Sequence, residues 1–161
     1  MLSKIKIWLK NNKRNLLVIF AIFILDRVSK IIALRTIAVH GPKEVFKYFS
    51  FTYVENTGAA FSMLTNGNLV WIFVVAAVLV FIIKSWKEIS AVKEPWAEIG
   101  LCLIVGGALG NLYDRIFLGF VVDMFDFKVW PVFNIADSFV CIGAGLILIA
   151  IFLGRKKKEL K

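Results

Sequence analysis

Four long apolar runs dominate the chain, at about 16–34, 69–83, 96–113 and 133–153. A helix rises about 1.5 Å per residue and the hydrocarbon layer of a bilayer is about 30 Å thick, so a span needs roughly 20 mostly apolar residues. Three runs reach that length directly, and the second reaches it if 66–68 and 84–86 form its ends. Hydrocarbon offers no partner for free backbone groups, which makes the runs helical. No repeated alternating pattern of about ten residues is present, so a spanning β-barrel is excluded. Between the first two runs the period changes. Lys47-Tyr48-Phe49-Ser50-Phe51-Thr52-Tyr53-Val54 alternates with period two and predicts a strand or hairpin, followed by a turn at Asn56-Thr57-Gly58. The connection 116–132, with Phe, Val and Trp, predicts a short helix or strand lying in the interface. The pattern predicts an all-α membrane protein with a small β element. It has a single domain over 1–161, four transmembrane helices (about 15–34, 67–86, 96–114 and 133–153), an extracytoplasmic β-cradle (about 36–63) and a short interfacial segment.

Composition agrees with this picture, at 60% hydrophobic residues and a mean hydropathy of +0.80. Charge orients it. Lys4, Lys6, Lys10, Lys13 and Arg14 precede the first run; Lys84, Lys87 and Lys93 lie between the second and third; Arg155, Lys156, Lys157, Lys158 and Lys161 follow the fourth. Those segments fall on one side of a four-span chain and carry 13 of its 20 Lys and Arg, which predicts that this side, with both termini, is cytoplasmic. The net charge of +9 is then a topology signal and an attraction to anionic lipid. The cations flank apolar runs and form no patch interleaved with aromatics, which argues against a nucleic-acid partner. The basic start and first run resemble a signal peptide. The run continues through Asp26, Arg27 and Lys30 with no small-residue cleavage site, so an uncleaved helix is expected. Cys102 and Cys141 sit inside runs three and four as packing residues, and the lone His40 cannot make a zinc site, so neither a metal nor another cofactor is expected.

The aspartates carry the candidate chemistry. Asp26 lies inside run one, Asp114 ends run three, Asp123 and Asp126 lie in the connection after it, and Asp137 opens run four. Ionisable groups at membrane depth are costly, which makes function their default explanation. Asn111, Asp114 and Arg115 share one helix face, as do Asn134, Asp137 and Ser138. Gly106 and Gly110 form a G-x-x-x-G pattern that permits close helix contact. Asp26 with Lys30, and Asp114 with Arg115, can form ion pairs that serve packing alone. Two carboxylates in one dry pocket cannot both ionise easily, so one holds a proton while the other can activate water. An acid–base hydrolase using an aspartate pair on the outer face is the leading reading. A proton-coupled transporter would also carry intramembrane acids, spread through the membrane's depth, and a structural subunit would leave the polar faces unexplained.

Five blocks then carry a resemblance: DRVSK with Asp26 and Lys30, NTGAAF over 56–61, GGALGNLYDR over 106–115, VVDMF over 121–125 and FNIAD over 133–137. In this order and over essentially the whole chain, they resemble the bacterial lipoprotein signal peptidases (signal peptidase II). The resemblance implies an aspartyl endopeptidase of the bacterial inner membrane, monomeric, with the site at the extracytoplasmic face. Its partners would be membrane lipid and a prolipoprotein substrate, cut just before the diacylglyceryl-modified cysteine. Carried over by motif, Asp123 and Asp137 are the catalytic pair. Asn56, Gly58, Asn111, Arg115 and Asn134 line the substrate site, and Asp26, Lys30 and Asp114 support the structure. The motif leaves Asp126 as a bystander. Ala59 and Ala60 are expected to give an extended substrate backbone room to approach.

Overall fold

The computed structural model describes residues 12–58, 67–92 and 94–159. Its elements run α1 (Lys13–His40), β1 (Lys43–Phe46), β2 (Phe49–Asn56), α2 (Gly67–Ser90), α3 (Pro95–Phe117), β3 (Val121–Asp126) and α4 (Ile135–Glu159). α2, α3 and α4 each hold a stretch long and apolar enough to cross a membrane. α1 is longer still, but Asp26, Arg27 and Lys30 interrupt its apolar run.

α3 is the central helix and packs against the other three. Its buried face includes Ala97, Gly100, Gly106, Gly107, Ala108 and Gly110, residues small enough for backbones to meet. A Cβ at Gly106 would lie 2.8 Å from Ile22 and one at Gly110 2.4 Å from the Asp26 carboxylate, so the G-x-x-x-G pattern is the α1 contact. Gly100 and Gly143 make a second seam with α4, where a Cβ on either would meet the other's carbonyl oxygen within 2.7 Å. α2 packs on α3 through Leu79, Ile82, Leu101, Val105 and Ala108. Outward residues such as Phe20, Phe73, Phe81, Leu148 and Phe152 are exposed, as a lipid-facing surface requires.

The buried stripe of α1 is Asn15, Ile22, Asp26, Lys30 and Ala33, spaced three, four or seven apart. It explains why α1 looks less apolar than the others: two of its inward residues are charged. The helix also runs six residues past the predicted end at 34. It stops at Gly41, whose φ of +86° suits glycine and whose N–H caps Ile37 O at 2.9 Å. The cradle therefore begins at Lys43 and not at 36.

The sheet has the order β1-β2-β3, antiparallel throughout. The alternating stretch is a hairpin that turns at Lys47-Tyr48. Its third strand is the segment 121–126, predicted only as an interfacial helix or strand. Ala33 of α1 packs beneath Val122 and Met124, which fixes the sheet on the helix body. Residues 59–63, the predicted end of the cradle and the site of Ala59 and Ala60, lie outside the described residues.

Candidate active site

Two backbone features bring the VVDMF and FNIAD segments together. Phe133 bridges to Phe125 of β3: Phe125 N–H donates to Phe133 O at 2.8 Å and Phe133 N–H returns to Phe125 O at 3.2 Å. Asn134 then opens α4 as a reciprocal cap. Its side-chain oxygen accepts from Asp137 N–H at 2.9 Å, while Asp137 Oδ2 accepts from Asn134 N–H at 3.3 Å. This is the capping-box logic with Asn and Asp in place of the usual Ser/Thr and Glu. The Asn-x-x-Asp spacing thus places Asp137 by starting the helix.

Asp123 is fully buried on β3. Its Oδ1 accepts from Asn134 Nδ2 at 2.6 Å and its Oδ2 from Asn56 Nδ2 at 2.8 Å. Asn56 reaches it as a diagonal neighbour, because Val54 pairs with Asp123 and Asn56 with Val121. Asp137 Oδ1 accepts from Asn111 Nδ2 at 2.8 Å. Asn134 Nδ2 also reaches Asn111 Oδ1 at 3.2 Å, so two carboxamides bridge the two carboxylates. No cation contacts either carboxylate among the described residues. Asp137 is half-buried and gives the pair its open side.

Burial pushes the Asp123 carboxyl up to about 6, and the nearby Asp137 adds to the rise against the opposing hydrogen bonds of Asn56 and Asn134. Asp126 behaves differently. It lies three residues on, odd spacing in a strand, and pairs with Lys128 at 2.7 Å. That hydrogen bond holds its carboxyl below the ordinary range. The motif leaves Asp126 as a bystander, and the structure gives it a partner of its own away from the pair.

Beneath the pair lies an ionic cluster. Lys30 contacts Asp26 Oδ2 and Asp114 Oδ2, each at 2.9 Å, and Arg27 pairs with Asp114 Oδ1. The expected Asp26–Lys30 pair is present. The Asp114–Arg115 pair that adjacency allows is replaced, because Asp114 points back to α1 and uses both oxygens there while also accepting from Val122 N–H at 3.2 Å. Asp26 Oδ1 accepts from Ala136 N–H at 3.1 Å, tying α1 to the first turn of α4. Arg27 was the residue missed. Its signal was stoichiometric: two buried carboxylates need two cations, and it stands within the same DRVSK block.

Arg115 is buried beside the site, its guanidinium 5.3 Å from the Trp71 ring and 3.4 Å from Asn68 Oδ1. Asn68 Nδ2 also donates to Arg115 O at 2.9 Å. Asn68 and Trp71, three apart on α2, escaped sequence reasoning because nothing in their spacing points to α3. Gly58 N–H donates to Asn56 Oδ1 at 2.9 Å, an Asx-type turn at φ +78°. A Cβ on Gly58 would lie 2.2 Å from Trp71, so glycine is required there for both conformation and space. Gly58 is therefore fixed by packing as well as lying near the site. Among the described residues no cluster of three or more His, Cys, Asp or Glu is arranged to hold a metal ion.

The arrangement has close counterparts. The family profile described as signal peptidase (SPase) II matches residues 18–153. A lipoprotein signal peptidase of Alteromonas mediterranea is 43% identical over 144 residues, covering 85% of this chain and 79% of the relative. One from Shewanella sediminis is 39% identical over 94% of this chain and 90% of its own length. Among solved structures, a bacterial membrane enzyme determined by the in meso method at 2.3 Å superposes with a TM-score of 0.79 at 28% identity, covering 92% of this chain and 93% of that one. The profile spans all the elements that build the aspartate site, and the chain belongs to the signal peptidase II family of aspartic peptidases.

Proposed function

We propose that this protein removes the signal peptide from prolipoproteins by using Asp123 and Asp137 to activate water, cutting just before the diacylglyceryl-modified cysteine. The observation that carries the mechanism is the pair itself: two carboxylates linked through neutral carboxamides and free of any cation contact among the described residues. Such a pair shares one proton. The mechanism assigns that proton to Asp123, the fully buried member, whose carboxyl burial pushes up. Asp123 donates to the scissile carbonyl oxygen while Asp137, on the open side, takes a proton from the attacking water. The resulting tetrahedral diol collapses with cleavage of the C–N bond, and the amine leaves with a proton supplied by the pair. Arg115 and the carboxamides are placed to hold substrate carbonyls. The lipid chains and signal helix of the substrate can stay in the bilayer, because the site lies where the helix ends meet the sheet.

The body is proposed to cross a bacterial inner membrane four times as one domain, with both termini cytoplasmic. In that arrangement the charges of α1 are accommodated because Asp26 and Lys30 face protein. A reporter fused after Lys161 should be active only as a cytoplasmic fusion, and one near Lys43 only as an external one. The opposite pattern would invert the topology.

The cleavage assay is direct. Purified protein is incubated with a diacylglyceryl prolipoprotein, and the loss of signal-peptide mass is followed. Asp123→Asn and Asp137→Asn should each lower turnover by about 1000-fold or more while leaving the fold intact. Retained turnover in either would remove that residue from the chemistry.

A further inference from the structure

We propose that Lys30 is a positioning residue for the aspartate pair: its ammonium fixes the Asn111 carboxamide so that Asn111 donates to Asp137 and Asn134 donates to Asp123. The inference rests on the reading of Asp123 and Asp137 as the catalytic pair.

Lys30 lies well before Asn56, the first residue of the chain otherwise assigned to substrate or catalysis, yet its head reaches into the site. Its side chain has no solvent exposure. Three groups lie within 3 Å of the ammonium: Asp26 Oδ2 and Asp114 Oδ2 pair with it at 2.9 Å each, and Asn111 Oδ1 accepts a hydrogen bond from it at 2.8 Å. Neutralising the buried acids needs only the first two, since Arg27 supplies the second cation. The third contact is spent on a neutral amide, and that amide is the one that holds Asp137.

The consequence is orientation. Asn111 Oδ1 accepts from both Lys30 Nζ and Asn134 Nδ2 at 2.8 and 3.2 Å. Turning that amide over would set its NH2 group against an ammonium and another NH2, and its oxygen against the Asp137 carboxylate. Lys30 therefore selects one of the two amide orientations, and that choice aims N–H at Asp137. It also frees Asn134 Nδ2 to bridge Asn111 and Asp123, the latter at 2.6 Å. The groups that face the ammonium are Asp26 on α1, Asp114 and Asn111 on α3, Asp123 on β3 and, through Asn111, Asp137 on α4, with Arg27 across Asp114. The cation also favours the ionised form of Asp123. Without it, the pH profile of the pair should move to higher pH.

Lys30→Met paired with Asp26→Asn tests this, because it removes one charge of each sign and keeps an acceptor for Ala136 N–H. With the protein folded by circular dichroism, kcat should fall about 100-fold, KM should change by less than about threefold, and the kcat/KM profile should move up by about half a pH unit or more. In an Asn111→Ala background the same double change should lower kcat by less than about threefold, since the group it acts through is gone. A full additive loss there, or an unmoved pH profile, would make Lys30 a scaffold only. If the double variant does not fold, Lys30→Gln takes its place: it offers an uncharged donor, and an unmoved pH profile in it overturns the proposal equally. Failure here leaves Asp123→Asn and Asp137→Asn inactive, whereas failure of the catalytic assignment restores them.

Discussion

Two groups of buried carboxylates lie within a few side chains of each other, and they are held in opposite ways. Asp26 and Asp114 are matched one for one with Lys30 and Arg27, and their remaining contacts go to backbone N–H groups of α4 and β3. Among the described residues, Asp123 and Asp137 meet only carboxamides and backbone N–H groups. A carboxylate locked to a cation is poor at exchanging protons and good at fixing helices. One held by amides keeps its hydrogen bonds while its charge remains negotiable. On the proposed assignment of Asp123 and Asp137, burial alone does not mark a catalytic acid in this fold; the identity of the donor does.

Asp114→Asn tests the locked side of this contrast most severely. It leaves the buried Lys30 and the half-buried Arg27 with one carboxylate, and breaking a buried pair costs about 3–5 kcal/mol. For a chain of this size, that should lower the thermal midpoint in detergent by roughly 10 °C. An unchanged midpoint with lost cleavage would move Asp114 into the chemistry and dissolve the contrast.

Asp123→Asn tests the other side, with the reverse sign. The folded carboxyl titrates at about 6 against 3.8 unperturbed. Between those values the folded state binds more protons than the unfolded state, so stability present at low pH is lost as pH rises through about 6. Asn removes that cost. The variant should melt a few degrees higher than the parent at pH 7, and the gain should vanish near pH 4. A midpoint lowered at both values would mean that Asp123 is a structural anion like Asp114.

Asp126→Asn carries the smallest expectation. Its partner is Lys128 at the rim of the sheet, a contact open to solvent screening. Turnover should stay within about twofold of the parent. A loss comparable to that of Asp123→Asn would show that the wrong carboxylate of VVDMFDF has been assigned.

Much of this was legible before any coordinates. The helices follow from apolar length, and the hairpin from the alternation at 47–54. A close helix contact follows from Gly106 and Gly110, though the pattern does not say that α1 makes it. What the sequence could not supply was the partner of each charge. Adjacent Asp114 and Arg115 suggest a pair, but successive helix residues point about 100° apart. The one turns to α1 and the other to Trp71. The third strand was obscured because four successive residues of β3, Val121 to Met124, are all buried, which erases the period-two signal. Arg27, Asn68 and Trp71 act across elements far apart in sequence, where local spacing carries no information.

The reciprocal cap at the start of α4 has a consequence for how the site can fail. Asp137 closes one half of the cap and Asn134 the other, and the same two side chains belong to the proposed aspartate site. Fraying of that first turn and dispersal of the reactive groups are consequently one event. Local opening there has its own free energy, separate from global unfolding. The exchange rate of the Asp137 backbone amide therefore counts how often the enzyme is, for a moment, a folded membrane protein without an active site.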